Sequence, residues 1–514
     1  MLMRGVRHLN AVCLGLVLAL PLLLALHHPA AADALSGPVP RATCGPNDRS
    51  ETGLQGQTTR HEKDSGLSEE GFNCNLELVG QYQGEGASWM VTWFGDCAYY
   101  NTFNRPGRQH PGTVVVDASD PRDPQATALL DTPTMIDPWE SLTANKARAL
   151  LAGVQGPALG GPGFAIYDIT DCADPVLKAS VNLPDSVGHG GTFAPDGMTY
   201  YGTGGGGFTA IDIADPSNPR QILRWIPPGG IGAPHDLSIS EDGNRAYVAQ
   251  PGNPGRAANG LVILDVSDVQ SRRPNPQIRV ISTLFWEDGS IGQGALPVTI
   301  RGRPYVIFTD ELGSGGSPGG LQAWAEACAR GLPPFSFARI IDISDEWNPR
   351  VVSKLMLEVH DPANCLAILN DPPGETIVPG AFNMGYSSHY CSVDNERSAT
   401  MAACSYFEAG IRVFDISDPF RPREIAYYKP PARRTQVLSG SLLSSRSTGD
   451  RSVDWASSEV RFRKHRGEPG ERATGELWFT SSDNGFQIVK FTNGVGSPRC
   501  SDPGPRECAA AGDQ

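Results

Sequence analysis

Three of the 10 histidines share one local setting. His189 in GHGGTFAPDG, His235 in PHDLSISEDG and His389 in SHYCSVDNER each stand just before a short run that leads into a tight turn. When shorter turns are allowed, Glu140 in WESLTANKARA falls at the same address, Gln293 lies near it, Asp454 is its counterpart late in the chain, and Ser88 or Trp89 its counterpart early. Imidazoles and a carboxylate converging on one open position make the ligand set of a Zn, Cu or Fe site. Such a metal polarises a substrate or activates water or dioxygen, with Glu140 as acid/base or ligand. The alternative is structural: a histidine repeated at the start of a strand can bond to the neighbouring backbone, and recurrence by duplication needs no function.

The elements that must position these residues are set by a second pattern, an apolar strand followed by Asp, a small polar turn and Pro. It occurs as VVVDASDPRDP, IYDITDCADP, AIDIADPSNP, ILDVSDVQSRRPNP, IIDISDEWNP and VFDISDP, with the Asp at 117, 168, 212, 265, 342 and 415. The spacing lies within or above the roughly 40 to 50 residues of a propeller blade. Strands apolar on both faces need cover on both sides, which sheets stacked around a ring provide. A hairpin precedes each copy and a short strand follows it, giving four strands per unit. Near the carboxyl end, Gly475 to Phe491 has the hairpin and the apolar strand without a final strand, whereas Asn75 to Gly84 reads as a final strand with nothing before it. Pairing the two closes an all-β, seven-bladed propeller with blades starting near Gly84, Thr132, Pro184, Gly230, Phe285, Val359 and Pro430. Closure removes exposed sheet edges. The shared histidine address then faces the central channel.

The specific core of this repeat, D-[IVA]-[STA]-D-P-x-x-P after an apolar strand, resembles the LVIVD-repeat family of secreted bacterial β-propellers over roughly Cys74 to Phe491. ETGLQGQ at Glu51 to Gln57, followed by GFNCNLELVG at Gly71 to Gly80, looks like the amino-terminal region of such proteins. The resemblance implies the fold and an exported location, with no settled activity. Two departures stand out: Val269 replaces the expected Pro in the fourth copy, whose turn is enlarged, and the last copy is degenerate. A propeller bearing histidines is also similar in that general feature to the selenium-binding protein and methanethiol oxidase family, proposed to use copper.

Arg4 and Arg7, an apolar run from Leu9 to Leu26 and small residues ending at Ala34 follow the order of a secretory signal peptide. The expected organisation is therefore a signal peptide over 1–34, an extended amino-terminal segment over 35–73, the propeller over 74–491 and a tail over 492–514. It carries no transmembrane segment in the mature chain. The protein is expected as a monomer, secreted, at the cell surface or in the periplasm. Of the 11 cysteines, Cys13 leaves with the signal peptide, and the even remainder reads as disulfides. Cys328 and Cys365 lie in insertions of the upper face beside Cys391 and Cys404. Cys97 and Cys172 fall in lower turns of adjacent blades, and Cys44, Cys74, Cys500 and Cys508 flank the closing blade. The alignment puts Cys404 opposite His389 and Cys391 diagonally from Cys404, so Cys404 is either a ligand or the disulfide partner of Cys391.

The net charge of -14, from 42 Lys+Arg against 56 Asp+Glu, repels a phosphate backbone and excludes nucleic acid as a partner. With 59 Gly and 43 Pro, long helical bundles are excluded too. Gly204 to Gly207 lacks the following helix and Lys of a phosphate loop, and Arg461 to Arg466 reads as a solvated turn of the last blade's hairpin. Two insertions, Asp310 to Phe335 with a flexible loop and short helix and Glu358 to Met384 with HDPANC, lengthen connections on the face where the histidine ring opens. Loops on a rigid scaffold often carry function. Two main readings follow. One is an exported binding or scaffold propeller that takes a protein, glycan or small molecule at the channel face; the other is a secreted copper- or zinc-dependent oxidase or hydrolase using His189, His235 and His389 with Glu140. They differ in whether the imidazoles converge within about 5 Å of a common point, as ligands at roughly 2.0 to 2.2 Å require. A third reading, a polysaccharide binder, would place Trp324 and Trp347 along an exposed groove.

Overall fold

The computed structural model describes residues 35, 37–102, 106–156, 163–183, 188–256, 258–374, 382–433, 436–445, 450–464 and 473–496. The expected signal peptide, Cys13, Cys500, Cys508, the tail beyond 496 and the centre of the second insertion lie outside these residues. Seven antiparallel sheets follow one another along the chain. The first runs through Val91–Phe94, Cys97–Asn101, Thr113–Asp117 and Gln125–Leu130, and each later blade repeats this meander. The ring closes as the sequence predicts: Leu76–Tyr82 pairs antiparallel with Gly485–Phe491, placing Leu76 opposite Phe491 and Tyr82 opposite Phe486.

The repeated aspartates explain why the third strand ends where it does. Oδ1 of Asp117, Asp168, Asp212, Asp265, Asp342 and Asp415 accepts the backbone N–H two residues on, at 2.8 to 3.1 Å. These Asx-turns give the chain an alternative to continuing the ladder. The fourth strand returns with a register shift in every blade, for example between Val115 and Val116 and between Val413 and Phe414. A bulge at this point increases the local twist and bends the outer edge of the blade. The third strands are buried, as in Val114–Val116 and Phe164–Tyr167, and pack between neighbouring sheets. Gly204 and Gly207 pair across a two-residue hairpin turn made by Gly205 and Gly206, with φ of 54° and 87°. That conformation suits glycine and is the one a tight hairpin requires.

The segment before the ring is tied to blade 6. Phe72–Cys74 adds a fifth strand beside Arg423–Lys429, and a short helix at Arg60–Ser65 interrupts the preceding stretch. The ETGLQGQ stretch supplies Glu51, whose carboxylate meets the buried Arg412 guanidinium at 2.8 Å, while Arg412 meets Glu424 at 2.9 Å. Lys429 donates to the Gln57 carbonyl at 2.8 Å.

Four disulfides join Cys44 to Cys74, Cys97 to Cys172, Cys328 to Cys365 and Cys391 to Cys404. The second links adjacent blades 1 and 2, and the third links the helix Gly320–Ala329 of one insertion to the helix Cys365–Asn370 of the other. Three expectations are corrected. Cys391 lies directly opposite Cys404, two residues from the register assumed, and the His389 N–H donates to the Ser405 carbonyl. Trp324 is 2% exposed and packs on Phe335, so only Trp347, at 70%, is available to a groove. Arg461–Lys464 is no solvated turn: it is the innermost strand of blade 7, with Arg463 and Lys464 buried.

Candidate metal centre

The common histidine address is built by the backbone. The N–H of His189 donates to Thr203, that of His235 to Ala249 and that of His389 to Ser405, each in the second strand of its own blade. Adjacent blades are then stitched at this level. The Glu140 N–H donates to the His189 carbonyl at 3.1 Å, and the Thr203 hydroxyl to the His235 carbonyl at 2.6 Å. A side chain at Gly190 would meet Asp236 of the next blade at 2.5 Å, so glycine permits this approach.

The four side chains converge on the axis. Nε2 of His189 and His235 lie 3.3 and 3.7 Å from Glu140 Oε2, and Nε2 of His389 lies 3.6 Å from Glu140 Oε1. One ligand atom each from Glu140, His189 and His235 falls within 4.8 Å of the others. The His189 and His235 rings meet edge to face at 4.1 Å between centroids. Gln293 is fully buried and its Nε2 bridges Glu140 Oε2 at 3.1 Å and His389 Nε2 at 2.9 Å. His389 Nδ1 donates to the Ser457 carbonyl, and the Tyr390 hydroxyl donates to Glu140 Oε2 at 3.0 Å. His189 alone of the four keeps access to solvent, at 31% side-chain exposure, beside the Trp139 ring.

Electrostatics divides the imidazoles. Burial pushes the Glu140 carboxyl up, but the charges of His189 and His235 and its hydrogen bonds to imidazole hold it well below the usual range. Burial disfavours protonated His189, yet the Glu140 carboxylate more than offsets this and raises its pKa. Burial and the neighbouring His189 charge drive His235 down to about 3, against the pull of Glu140. His235 Nδ1 is a buried polar atom without a hydrogen-bond partner, whereas His189 Nε2 has the Glu140 carboxylate beside it at 3.3 Å. Imidazoles of adjacent blades set around one buried carboxylate, with a ring nitrogen left unpaired, fit a cation.

Two residues of this neighbourhood were not singled out in the sequence. Glu311 Oε2 lies 4.0 Å from His235 Nε2, and burial, with the Glu140 charge, raises its carboxyl to about 7 against the opposing pull of His389 and His189. Tyr390 is the neighbour of His389, and no motif marked it. Asp454 stands elsewhere: Oδ2 accepts the N–H groups of Asp483 and Asn484 at 2.9 and 2.8 Å, because the chain before Arg461–Lys464 is irregular and carries Ser457 to the ring instead. The Trp89 ring lies 5.6 Å from His389, tilted by 59° to it, and Ser88 accepts from Ser457 through its carbonyl. Both Cys391 and Cys404 are consumed in their disulfide, so neither is a thiolate ligand.

Fold and site together define a seven-bladed β-propeller with an imidazole–carboxylate cluster on its axis. Its third and fourth blades carry the LVIVD repeat: the LVIVD repeat family model matches residues 197–225 and 231–271. No curated protein matches the chain. Among solved structures, a functionally unknown protein from Desulfotomaculum acetoxidans is similar at 11% identity and a TM-score of 0.42, over 66% of this chain and 84% of that one.

Proposed function

We propose that this protein is an exported metalloprotein that holds one copper or zinc ion between His189, His235 and Glu140 and performs metal-dependent chemistry, as an oxidase or hydrolase, on a small molecule reaching the channel mouth. The observation that carries this reading is the convergence of three imidazoles on a single buried carboxylate; a pure scaffold has no use for it. The donor set is imidazole and carboxylate without sulfur, which suits Zn2+ or Cu2+. When bound, such an ion supplies Lewis-acid or redox chemistry. The chain's own residues do the rest. Gln293 and Tyr390 fix the Glu140 carboxylate, Ser457 fixes the His389 ring, and His189 marks the side open to solvent. The four disulfides, and the lack of any helix long and apolar enough to cross a membrane among the described residues, suit an extracellular or periplasmic setting.

The test is the metal content of protein purified without chelator or metal-affinity tag. Near-stoichiometric copper or zinc that is lost in His235→Ala supports the reading; substoichiometric metal unchanged by that substitution overturns it.

A further inference from the structure

At the end of the inner strands away from the histidines, four cations gather where blades 7, 1 and 2 meet. Lys146 follows the inner strand Thr143–Asn145 of blade 2 and lays its Nζ 3.1 Å from the centroid of Trp93, on the inner strand of blade 1. The Arg463 guanidinium from blade 7 sits 5.0 Å from the same ring and 5.2 Å from Trp478. Arg461 donates to the Val91 carbonyl at 3.0 Å, drawing its charge into the same junction.

The three blade 7 cations each have an acid. Arg461 pairs with Glu459 at 2.7 Å, Lys464 with Glu396 at 2.7 Å, and Arg463 with Asp96. Lys146 has no hydrogen bond or ion pair among the described residues; its one partner is the indole face. Burial, followed by the charges of Arg461 and Lys464, pushes the Lys146 ammonium well below its usual range, with Glu396 opposing. An indole attracts a cation, but it does not cancel the repulsion among like charges packed in a poorly solvated junction. Among the described residues the junction holds four cations and three paired acids, in a protein whose net charge is -14.

We infer that this junction is a binding site for a small oxyanion, a phosphate or a carboxylate, seated on Lys146 and flanked by Arg461 and Arg463. Charge-assisted hydrogen bonds from an ammonium and guanidinium groups are the strong ones for such ligands. The site is at the other end of the inner strands from the proposed metal centre and does not depend on it.

The experiment is isothermal titration of the full chain with inorganic phosphate and, separately, with succinate, near neutral pH. Saturable binding of either anion, weakened roughly tenfold or more in Lys146→Met, supports the proposal, and the arm that binds assigns phosphate or carboxylate chemistry. A Trp93→Phe variant, which keeps an aromatic face, should retain binding. No binding of either anion, or binding that Lys146→Met leaves unchanged in a protein with wild-type circular dichroism, overturns it.

Discussion

Gln293, on the inner strand of blade 5, and His389, just before that of blade 6, meet with their Nε2 atoms 2.9 Å apart. Because His389 Nδ1 donates to the Ser457 carbonyl, Nε2 keeps its lone pair and accepts from the Gln293 amide. The same amide steadies Glu140. Partners of this kind fix the tautomer and direction of metal ligands. Replacing Gln293 with Ala should therefore weaken copper or zinc binding by about 10- to 100-fold while leaving thermal stability near that of the wild type. A competition titration with a chromophoric chelator measures this; unchanged affinity would show that Gln293 positions nothing.

The buried Arg412 holds the amino-terminal segment against blade 6 through Glu51 and Glu424. Removing one partner of a buried ion pair strands the other charges, at about 3–5 kcal/mol. Arg412→Met is expected to lose stability of that order in urea unfolding, and Glu51→Gln less, since an amide still accepts a hydrogen bond. A loss below about 1 kcal/mol for Arg412→Met would mean the network is solvated in solution.

His360, from the HDPANC insertion, is fully buried, accepts the Leu357 N–H at Nδ1 and contacts the Tyr386 carbonyl at 2.9 Å through Nε2. Burial lowers its pKa to about 3, against an unfolded value of about 6.5. Between these values the unfolded chain takes up a proton that the folded chain refuses, so stability falls as pH falls. The contribution approaches about 1.4 kcal/mol per pH unit, and His235 adds a term of the same sign. Urea unfolding between pH 7 and 4, which spans about two-thirds of this window, should show a shallower acid loss in His360→Gln than in the wild type. Identical slopes would contradict a neutral buried imidazole.

The propeller was legible because its punctuation is local. Each repeated Asp bonds within two residues, so the third-strand ends at Asp117 through Asp415 can be read without knowing any tertiary contact. The histidine address was legible for the same reason: the turns after His189, His235 and His389 carry the register. What escaped is settled across the axis. Glu311 and Tyr390 join the cluster only because blades 5 and 6 face blades 2 and 4 there, a proximity no spacing encodes. Blade 7 misled at Asp454 and at Arg461 because its first strand is preceded by irregular chain, so alignment on turns had no anchor.

The central claim is that His189, His235 and Glu140 share one metal ion. X-ray absorption at the metal edge of copper- or zinc-loaded protein tests it most directly. The account predicts nitrogen and oxygen donors only, at about 2.0–2.2 Å, with the outer-shell scattering of at least two imidazoles that disappears in the His189→Ala/His235→Ala double variant. Sulfur scattering, or a spectrum the double variant leaves unchanged, would contradict it.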